Sequence, residues 1–410
     1  MTAIAGLRGT GDWGTDERPK DFRNSILWVN PNGSAPIFAL TGRTKKKVKT
    51  DPEFSWWAEP NNLVRLQVAG ALLSSDTLVT VDSSDPAAAT LGIAYGGALH
   101  LKPGDHLLVE PSSDAAAFTQ EVVEVTQVLS NTQFMISRGA QGTTPDAIGN
   151  DAFLLLIGSA YGEGTDAPSA VSRNPVKYSN YTQIFKDTYE LTGTADVTEA
   201  RTGDPWSNDK KRKSFDHARA IELAMLFGRK HEGTDANGKP KRTMGGLREQ
   251  VANVTVFSSA VTAASFENAI GPAFDFDLGG GDDTRVAFAG NTALVELAKV
   301  IQGETGVTLE KGPVIEMWGM KFREWVTTNG RILFKSHPLM SQHSIYKKSA
   351  FIIDFNAINY VHLKNRDTKA KDDVQSKTED IRKGFFQTEC SLMVDGGGLS
   401  CAYLGNISAT

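Results

Sequence analysis

The sequence predicts an α+β fold, in which a β-rich region precedes one long helix and mixed helices and strands follow it. Short β-branched runs, separated by Gly, Pro, Asn and Ser clusters, fill residues 61–160. Apolar residues then recur at three- and four-residue steps through residues 208–231. Beyond residue 250, strand-like apolar runs alternate with helical patterns. These three observations together indicate separate β and mixed regions in one chain.

Composition limits the classes of function. The 410 residues are 40% hydrophobic and 22% charged, as is ordinary for a globular protein. The net charge of −5 argues against a surface devoted to nucleic acid, although a local basic patch remains compatible with it. Cys390 and Cys401 are the only cysteines, so we expect no disulfide framework and synthesis in a reducing cytoplasm. The sequence shows neither a secretory signal nor an apolar run long enough to span a membrane.

The first 60 residues show no sustained hydrophobic period. Ordering such a segment costs about 1–2 kcal/mol per residue, so we expect either an arm that orders against neighbouring subunits or a flexible terminus. A basic run lies within it, and we take it as a candidate assembly contact: Lys45, Lys46, Lys47 and Lys49. The alternatives are a solvated patch, a contact with acidic surface on another subunit, and a weak DNA contact.

Five runs predict the strands of the β-rich region: residues 63–68, 107–110, 122–126, 134–137 and 154–157. Their length and the turn residues between them favour hairpins of a small barrel or sandwich. Residues 161–206 are rich in aromatic residues and Thr, and we predict an extended segment there.

The long helix is predicted over residues 208–231, a rod of roughly 36 Å at 1.5 Å per residue. Phe215, Ile221 and Met225 lie on its main apolar stripe, and Leu223 widens that stripe. We therefore expect the helix to be buried on more than one side, and we take Phe215 and Ile221 as candidate residues for assembly. Gly233 is the predicted stop.

Beyond the helix, residues 286–289 and 351–355 predict buried strands, and Asn291 can cap a helix between them. Asn329-Gly330 predicts a hairpin. Two further strands are expected on either side of the glycine turn at 396–398.

No motif for catalysis is found. The glycine run at 279–281 lacks the Lys and Ser or Thr of a phosphate-binding loop. The acidic residues around it could hold a hard cation, but without metal-site spacing a solvated loop is favoured: Asp275, Asp277, Asp282 and Asp283. The seven histidines are scattered. We expect no catalytic, cofactor or metal site.

Four short motifs occur in a fixed order: residues 138–144 (RGAQGTT), 180–185 (NYTQIF), 217–222 (HARAIE) and 243–247 (TMGGL). In this order they resemble major capsid proteins of tailed bacteriophages with the Hong Kong 97-like fold. The resemblance runs from about residue 60 to the C-terminus and implies no catalytic residue.

The resemblance also implies a domain organisation. Residues 1–50 would form an N-terminal arm, and 51–200 an extended loop that carries an inserted β-rich domain at about 62–160. Residues 201–250 would be the peripheral domain with its spine helix, 251–345 the axial domain, and 346–410 a return to the peripheral domain. We expect the insertion to lie on the outside of the shell.

The function implied is an icosahedral shell around the genome of a tailed double-stranded DNA phage. The chain would assemble with itself as hexamers and pentamers, would meet scaffolding, portal and decoration proteins, and would touch packaged DNA only weakly. It would be made in the host cytoplasm and belong to the virion. Three alternatives stay open: an encapsulin compartment, a tail or decoration protein, and a small-molecule enzyme.

Overall fold

The computed structural model describes residues 36–37, 46–59, 64–82, 97–110, 120–171, 175–199, 203–276, 278, 283–303, 314–317 and 320–408. Lys45, Asp277 and Asp282 lie outside these ranges, as does most of the expected N-terminal arm. No helix among the described residues is long and apolar enough to cross a membrane.

The helices of the described ranges are α1 (Gly193–Val197), α2 (Pro205–Phe227), α3 (Leu247–Gln250), α4 (Ala263–Phe274), α5 (Asn291–Gly303) and α6 (Pro338–Gln342). The strands are β1 (Lys46–Lys49), β2 (Glu53–Ala58), β3 (Arg65–Gln67), β4 (Leu78–Thr80), β5 (Asp105–Val109), β6 (Val122–Val128), β7 (Gln133–Ala140), β8 (Phe153–Ser159), β9 (Val176–Tyr181), β10 (Gln183–Thr192), β11 (His231–Thr234), β12 (Pro240–Thr243), β13 (Asn253–Val256), β14 (Thr284–Ala289), β15 (Val314–Met317), β16 (Met320–Val326), β17 (Arg331–Ser336), β18 (Ala350–Ile353), β19 (Ile358–Leu363), β20 (Lys369–Lys371), β21 (Ile381–Val394) and β22 (Ala402–Gly405). The expected α+β fold is confirmed.

Helix α2 is the predicted long helix, displaced toward the N-terminus. Asp204 caps it by accepting hydrogen bonds from the amides of residues 206 and 207, and a proline occupies its first turn. The helix ends at Phe227, earlier than predicted, because Gly228 takes an extended conformation. A Cβ on Gly228 would lie 2.5 Å from the carbonyl oxygen of Met244. The backbone at Met244 can therefore approach the end of the helix this closely only because residue 228 is glycine.

The apolar stripe of α2 is narrower than predicted. Ile221 and Met225 are fully buried, whereas Leu223 is 41% exposed and Phe215 is only half-buried. The expected burial on more than one side nevertheless holds for the C-terminal half of the helix. It packs on the first sheet through β10 and β21, and Ile221 and Met225 share a core with β14 of the second sheet, whereas Leu223 faces solvent.

That first sheet has the order β1-β19-β21-β10, with β20 added beside β21. Strand β1 pairs parallel with β19, and the other pairs are antiparallel. Strands β9 and β10 account for much of the extended segment predicted over residues 161–206.

The second sheet has seven strands, in the order β13-β22-β18-β14-β17-β16-β15. Its two faces pack into different hydrophobic cores, because successive side chains of a strand such as β14 point to opposite faces of the sheet. Val286 and Phe288 join the core that α2 covers, while Ala287 and Ala289 join the core that α4 and α5 cover. The hairpin predicted at Asn329-Gly330 is confirmed as β16–β17.

The last 60 residues supply strands to both sheets. The resemblance assigns residues 346–410 to the domain of the first sheet, and β19, β20 and β21 do lie there. Strands β18 and β22 instead join the second sheet, where all their residues are buried. A strand buried on both faces suits this central position between helices and the first core.

The β-rich insertion is a closed barrel of strands β3-β8-β5-β6-β7-β4. The two end strands meet through a bridge between Val68 and Val81, and the amide of Ala69 donates to the carbonyl of Thr80 at 2.8 Å. Its apolar core is drawn entirely from residues 64–156. Of the two expected architectures, the structure shows the barrel, and residues 64–156 have a core of their own.

Candidate assembly site

The two helix residues predicted for assembly differ in exposure. Ile221 is fully buried in the core between α2 and the sheets. Phe215 is half-buried on the same helix. Ile221 could therefore affect assembly only through folding of the subunit, whereas Phe215 keeps part of its ring exposed.

Sequence reasoning missed two buried polar residues on α2, His217 and Glu222, which are 3% and 0% exposed. The imidazole Nδ1 of His217 lies 2.6 Å from the carboxylate of Asp187 in β10, and its Nε2 lies 2.7 Å from the hydroxyl of Thr388 in β21. One side chain therefore binds the helix to two neighbouring strands. Hydrogen bonds of this kind offset the desolvation of a buried ring.

Glu222 makes the second polar junction. Its Oε1 lies 2.7 Å from Nε2 of His337, which is also fully buried, and it accepts the amide of Ile37 at 2.9 Å. His337 stands between β17 and α6, so this contact joins α2 to the second sheet.

The motif residue Asn180 makes a third junction. Its amide nitrogen donates to the carbonyls of Gly245 and Leu392 at 3.0 and 2.8 Å, and its oxygen accepts the amide of Gly245 at 2.8 Å. These contacts bring two of the four sequence motifs, 180–185 and 243–247, together on β21. All three junctions involve a polar residue inside one of the sequence motifs.

The barrel carries the remaining motif. Arg138 forms a nearly buried ion pair with Glu121 at 2.6 Å, and its guanidinium also donates to the carbonyls of Leu73 and Asp76. Burial alone would raise the pKa of Glu121, but hydrogen bonds from Arg138 and from two backbone amides lower the pKa overall. Gly139 has φ +65°, and a Cβ there would lie 2.8 Å from the carbonyl of Thr143, so the motif turn needs glycine.

The lysine run forms strand β1 at the edge of the first sheet. Lys46 pairs with Asp367 at 3.5 Å, and Lys47 pairs with Asp395 at 3.2 Å. The Nζ atom of Lys49 lies 5.9 Å from the centre of the Phe54 ring. Two of the three described lysines therefore already meet carboxylates of their own chain. Charged side chains on an edge strand also discourage unwanted strand pairing.

Exposed apolar side chains mark a different edge. Val254 and Val256 on β13, the end strand of the second sheet, are 41% and 60% exposed. Val254 also lines an open cleft of about 550 Å³, together with Trp56 and Tyr178 of the β2–β9 pair. This surface is the apolar candidate for contact with another subunit.

The two free cysteines and the described part of the acidic loop are candidates for reactive or metal-binding groups. Burial raises the pKa of the Cys390 thiol to about 12 and that of Cys401 to about 11, so neither is a thiolate near neutral pH. Within the described ranges, no group of three His, Cys, Asp or Glu side chains is placed to hold a metal ion. Asp275 and Asp283, the described members of the acidic loop, belong to no such group.

Comparison with known proteins gives a consistent result. The model of the family described as SU10 major capsid protein matches residues 5–403. The major capsid protein of Pseudomonas phage PaMx41 is 28% identical over 386 residues, which cover 90% of this chain and 85% of that protein. Among solved structures, a chain of Mycobacterium phage Cain has a TM-score of 0.46 at 6% identity, covering 97% of this chain and 96% of that one. A chain from the capsid of a native GTA particle has a TM-score of 0.44 at 10% identity, covering 98% of each.

Proposed function

The chain belongs to the SU10 major capsid protein family, and from that premise we propose that it assembles with copies of itself into the icosahedral head of a tailed double-stranded DNA phage. The observation that carries the proposal is the family match over residues 5–403, which includes all four motifs. A phage major capsid protein is a structural component of the virion, and synthesis in the host cytoplasm follows from the proposal.

The architecture agrees with the Hong Kong 97-like organisation that the motifs imply. Helix α2 lying on the first sheet corresponds to the spine helix of a peripheral domain, over residues 201–250 and 346–410. The second sheet with α4 and α5 corresponds to an axial domain, built mainly from 251–345 and completed by β18 and β22. The barrel at 62–160 is the insertion of the extended loop at 51–200, and residues 1–50 are the arm.

Hexamers and pentamers of such subunits would meet through heterologous contacts that close by rotation. Interfaces that hold stable complexes bury about 1,600 Å² or more. The exposed valines of β13 and the adjoining cleft supply apolar surface for one such contact, with a second copy as the partner.

Charge supports a position of the barrel outside the shell. Residues 62–160 contain ten Asp and Glu against three Lys and Arg, a net charge of −7. The whole chain carries −5, so the rest of the subunit carries +2. Facing the genome, the barrel would be repelled by the phosphates, whereas the rest of the subunit would not.

The same charge distribution bears on partners. The part of the subunit outside the barrel has a net charge close to zero, which is compatible with weak, non-specific contact with packaged DNA. Scaffolding, portal and decoration proteins are expected partners of a capsid protein, and the acidic barrel is the surface on which a decoration protein with basic character would fit.

Electron microscopy of the expressed protein tests the proposal, alone and with the neighbouring genes of its source. We expect closed, angular shells in at least one condition, with DNA inside when the packaging genes are present. Shells that enclose a co-purified enzyme would favour the encapsulin alternative. Soluble monomers in every condition would contradict assembly altogether.

A further inference from the structure

Ile37, in the N-terminal region of the sequence, is buried inside the subunit. Its side chain is 1% exposed and belongs to the core shared by α2 and the two sheets. Pro36 is buried beside it, and both residues are helical. The sequence around them showed no period that would predict a core position.

The backbone of Ile37 is hydrogen-bonded to the buried side chain of Glu222. The backbone N–H of Ile37 donates to Oε1 of Glu222 at 2.9 Å, across 185 residues of sequence. Glu222 is 0% exposed, and a carboxyl group removed from water is stable only when hydrogen-bond partners surround it. The amide of Ile37 is one of those donors.

His337 fixes the orientation of the carboxylate. The amide of Met340 donates to Nδ1 of His337 at 3.4 Å, which leaves Nε2 as the protonated nitrogen. That N–H then donates to Glu222 at 2.7 Å. Three distant parts of the chain meet at one oxygen atom: residue 37, α2, and the loop between β17 and α6.

We propose that Glu222, oriented by His337, anchors the N-terminal segment to the subunit at Ile37. Glu222 is thus a positioning residue: it fixes the place in the subunit from which the preceding residues begin. For an arm that contacts neighbouring subunits, this origin determines which surfaces it can reach, and in that respect the inference rests on the proposed capsid function.

Hydrogen exchange of unassembled subunits tests the anchor, read in peptides that contain residues 36 and 37. Glu222→Met removes the acceptor at nearly equal volume, and Glu222→Gln keeps an acceptor oxygen. We expect Glu222→Met to speed exchange of the Ile37 amide about tenfold or more, because the amide loses its buried hydrogen-bond acceptor. Glu222→Gln should retain most of the protection.

Thr388→Val is the matched control, since it removes a buried partner of the same helix at His217, away from Ile37. If Glu222→Met fails to fold, Ile37→Pro replaces it, because proline has no backbone N–H to donate to Glu222, and protease should then cut faster near residue 37. Exchange or cleavage no faster than in Thr388→Val would overturn the anchor. The measurement uses single subunits, so a failure of wild-type protein to form shells would count against the proposed function and leave this result readable.

Discussion

Asn180 and Gly245 are joined by two hydrogen bonds, one in each direction between a side-chain amide and a backbone peptide. Asn180 is 1% exposed, and its nitrogen also donates to the carbonyl of Leu392. A Cβ on Gly245 would lie 3.4 Å from the side-chain oxygen of Asn180 and 2.6 Å from Oε2 of Glu249, the end of a flexible side chain. This contact ties β9 to the turn before α3 and to β21.

The junction predicts a strong effect of Asn180→Asp. The substitution replaces a donor by an oxygen that faces two carbonyl oxygens, and we expect it to lower the free energy of unfolding by about 3 kcal/mol or more. Asn237→Asp, at an exposed position, should change it by less than about 0.5 kcal/mol. Urea unfolding of unassembled subunits measures both. Equal effects would show that the side-chain amide of Asn180 contributes nothing.

Substitutions on α2 should follow the observed burial. Ile221→Asp places a charge at a fully buried position and should give insoluble protein, because the cost is several kcal/mol. Phe215→Asp, at a half-buried position, should be milder, and Leu223→Asp should leave the subunit folded. Solubility and circular dichroism of the three variants test this order. Folded, soluble Ile221→Asp protein would contradict the core position of α2.

Local pattern was sufficient where neighbours in sequence are also neighbours in space. The hairpin at Asn329-Gly330, the barrel strands and the position of α2 all follow from turn residues and from apolar periodicity. The helix end was misplaced because Gly228 is required by a tertiary approach of Met244, which no local pattern contains.

The polar junctions could not be predicted for the same reason. On α2, His217 and Glu222 have the residue types of a solvent-facing side. Their partners Thr388 and His337 lie 171 and 115 residues further along the chain. Likewise, the lysine run gave no sign that Lys46 and Lys47 would pair with carboxylates beside their own strand.

The barrel should fold by itself. Its core comes entirely from residues 64–156, and its end strands close on each other. We expect residues 64–160 expressed alone to unfold cooperatively. A chain with a Gly/Ser linker in their place should keep its thermal midpoint within about 4 °C, the shift that corresponds to roughly 1 kcal/mol. Removing only residues 76–150 serves as the contrasting variant, because it would leave β3 and β8 in the chain without the rest of their sheet. Loss of folding in the linker chain would place the barrel in the main core.

The lysine strand predicts weak DNA binding with a shallow salt dependence. Four free lysines would give a log–log slope of about −3.6, but Lys46 and Lys47 are engaged by Asp367 and Asp395. We expect a slope no steeper than about −1.8, measured by anisotropy of labelled duplex against salt. Lys46→Ser and Lys47→Ser should each cost less than about 1 kcal/mol of stability, because the pairs are partly exposed. Steep or sequence-specific binding would contradict the proposed passive contact.

Glu121 should make the stability of the barrel depend on pH. The lowered pKa means that the folded barrel favours the ionised carboxylate, despite burial, through Arg138 and the amides of Gly139 and Asp146. Its contribution is therefore complete above the ordinary value of 4.5 and is lost as the pH falls through the lower folded pKa. Glu121→Gln should cost about 3 kcal/mol at neutral pH, because it leaves Arg138 without its carboxylate, and should flatten this acid dependence.

Thermal unfolding of the isolated barrel between about pH 6 and about pH 3 measures that contribution, since this range spans the ordinary carboxyl values. Glu124→Gln, on the adjoining strand β6, is the control and should keep the wild-type profile. With Glu121→Gln, the difference from wild type should be largest above pH 4.5 and should shrink on acidification, because protonation removes the same charge that the substitution removes. A constant difference across the range would mean that the Glu121 carboxylate is not held ionised by Arg138, and that the motif at 138–144 stabilises the barrel through its backbone alone.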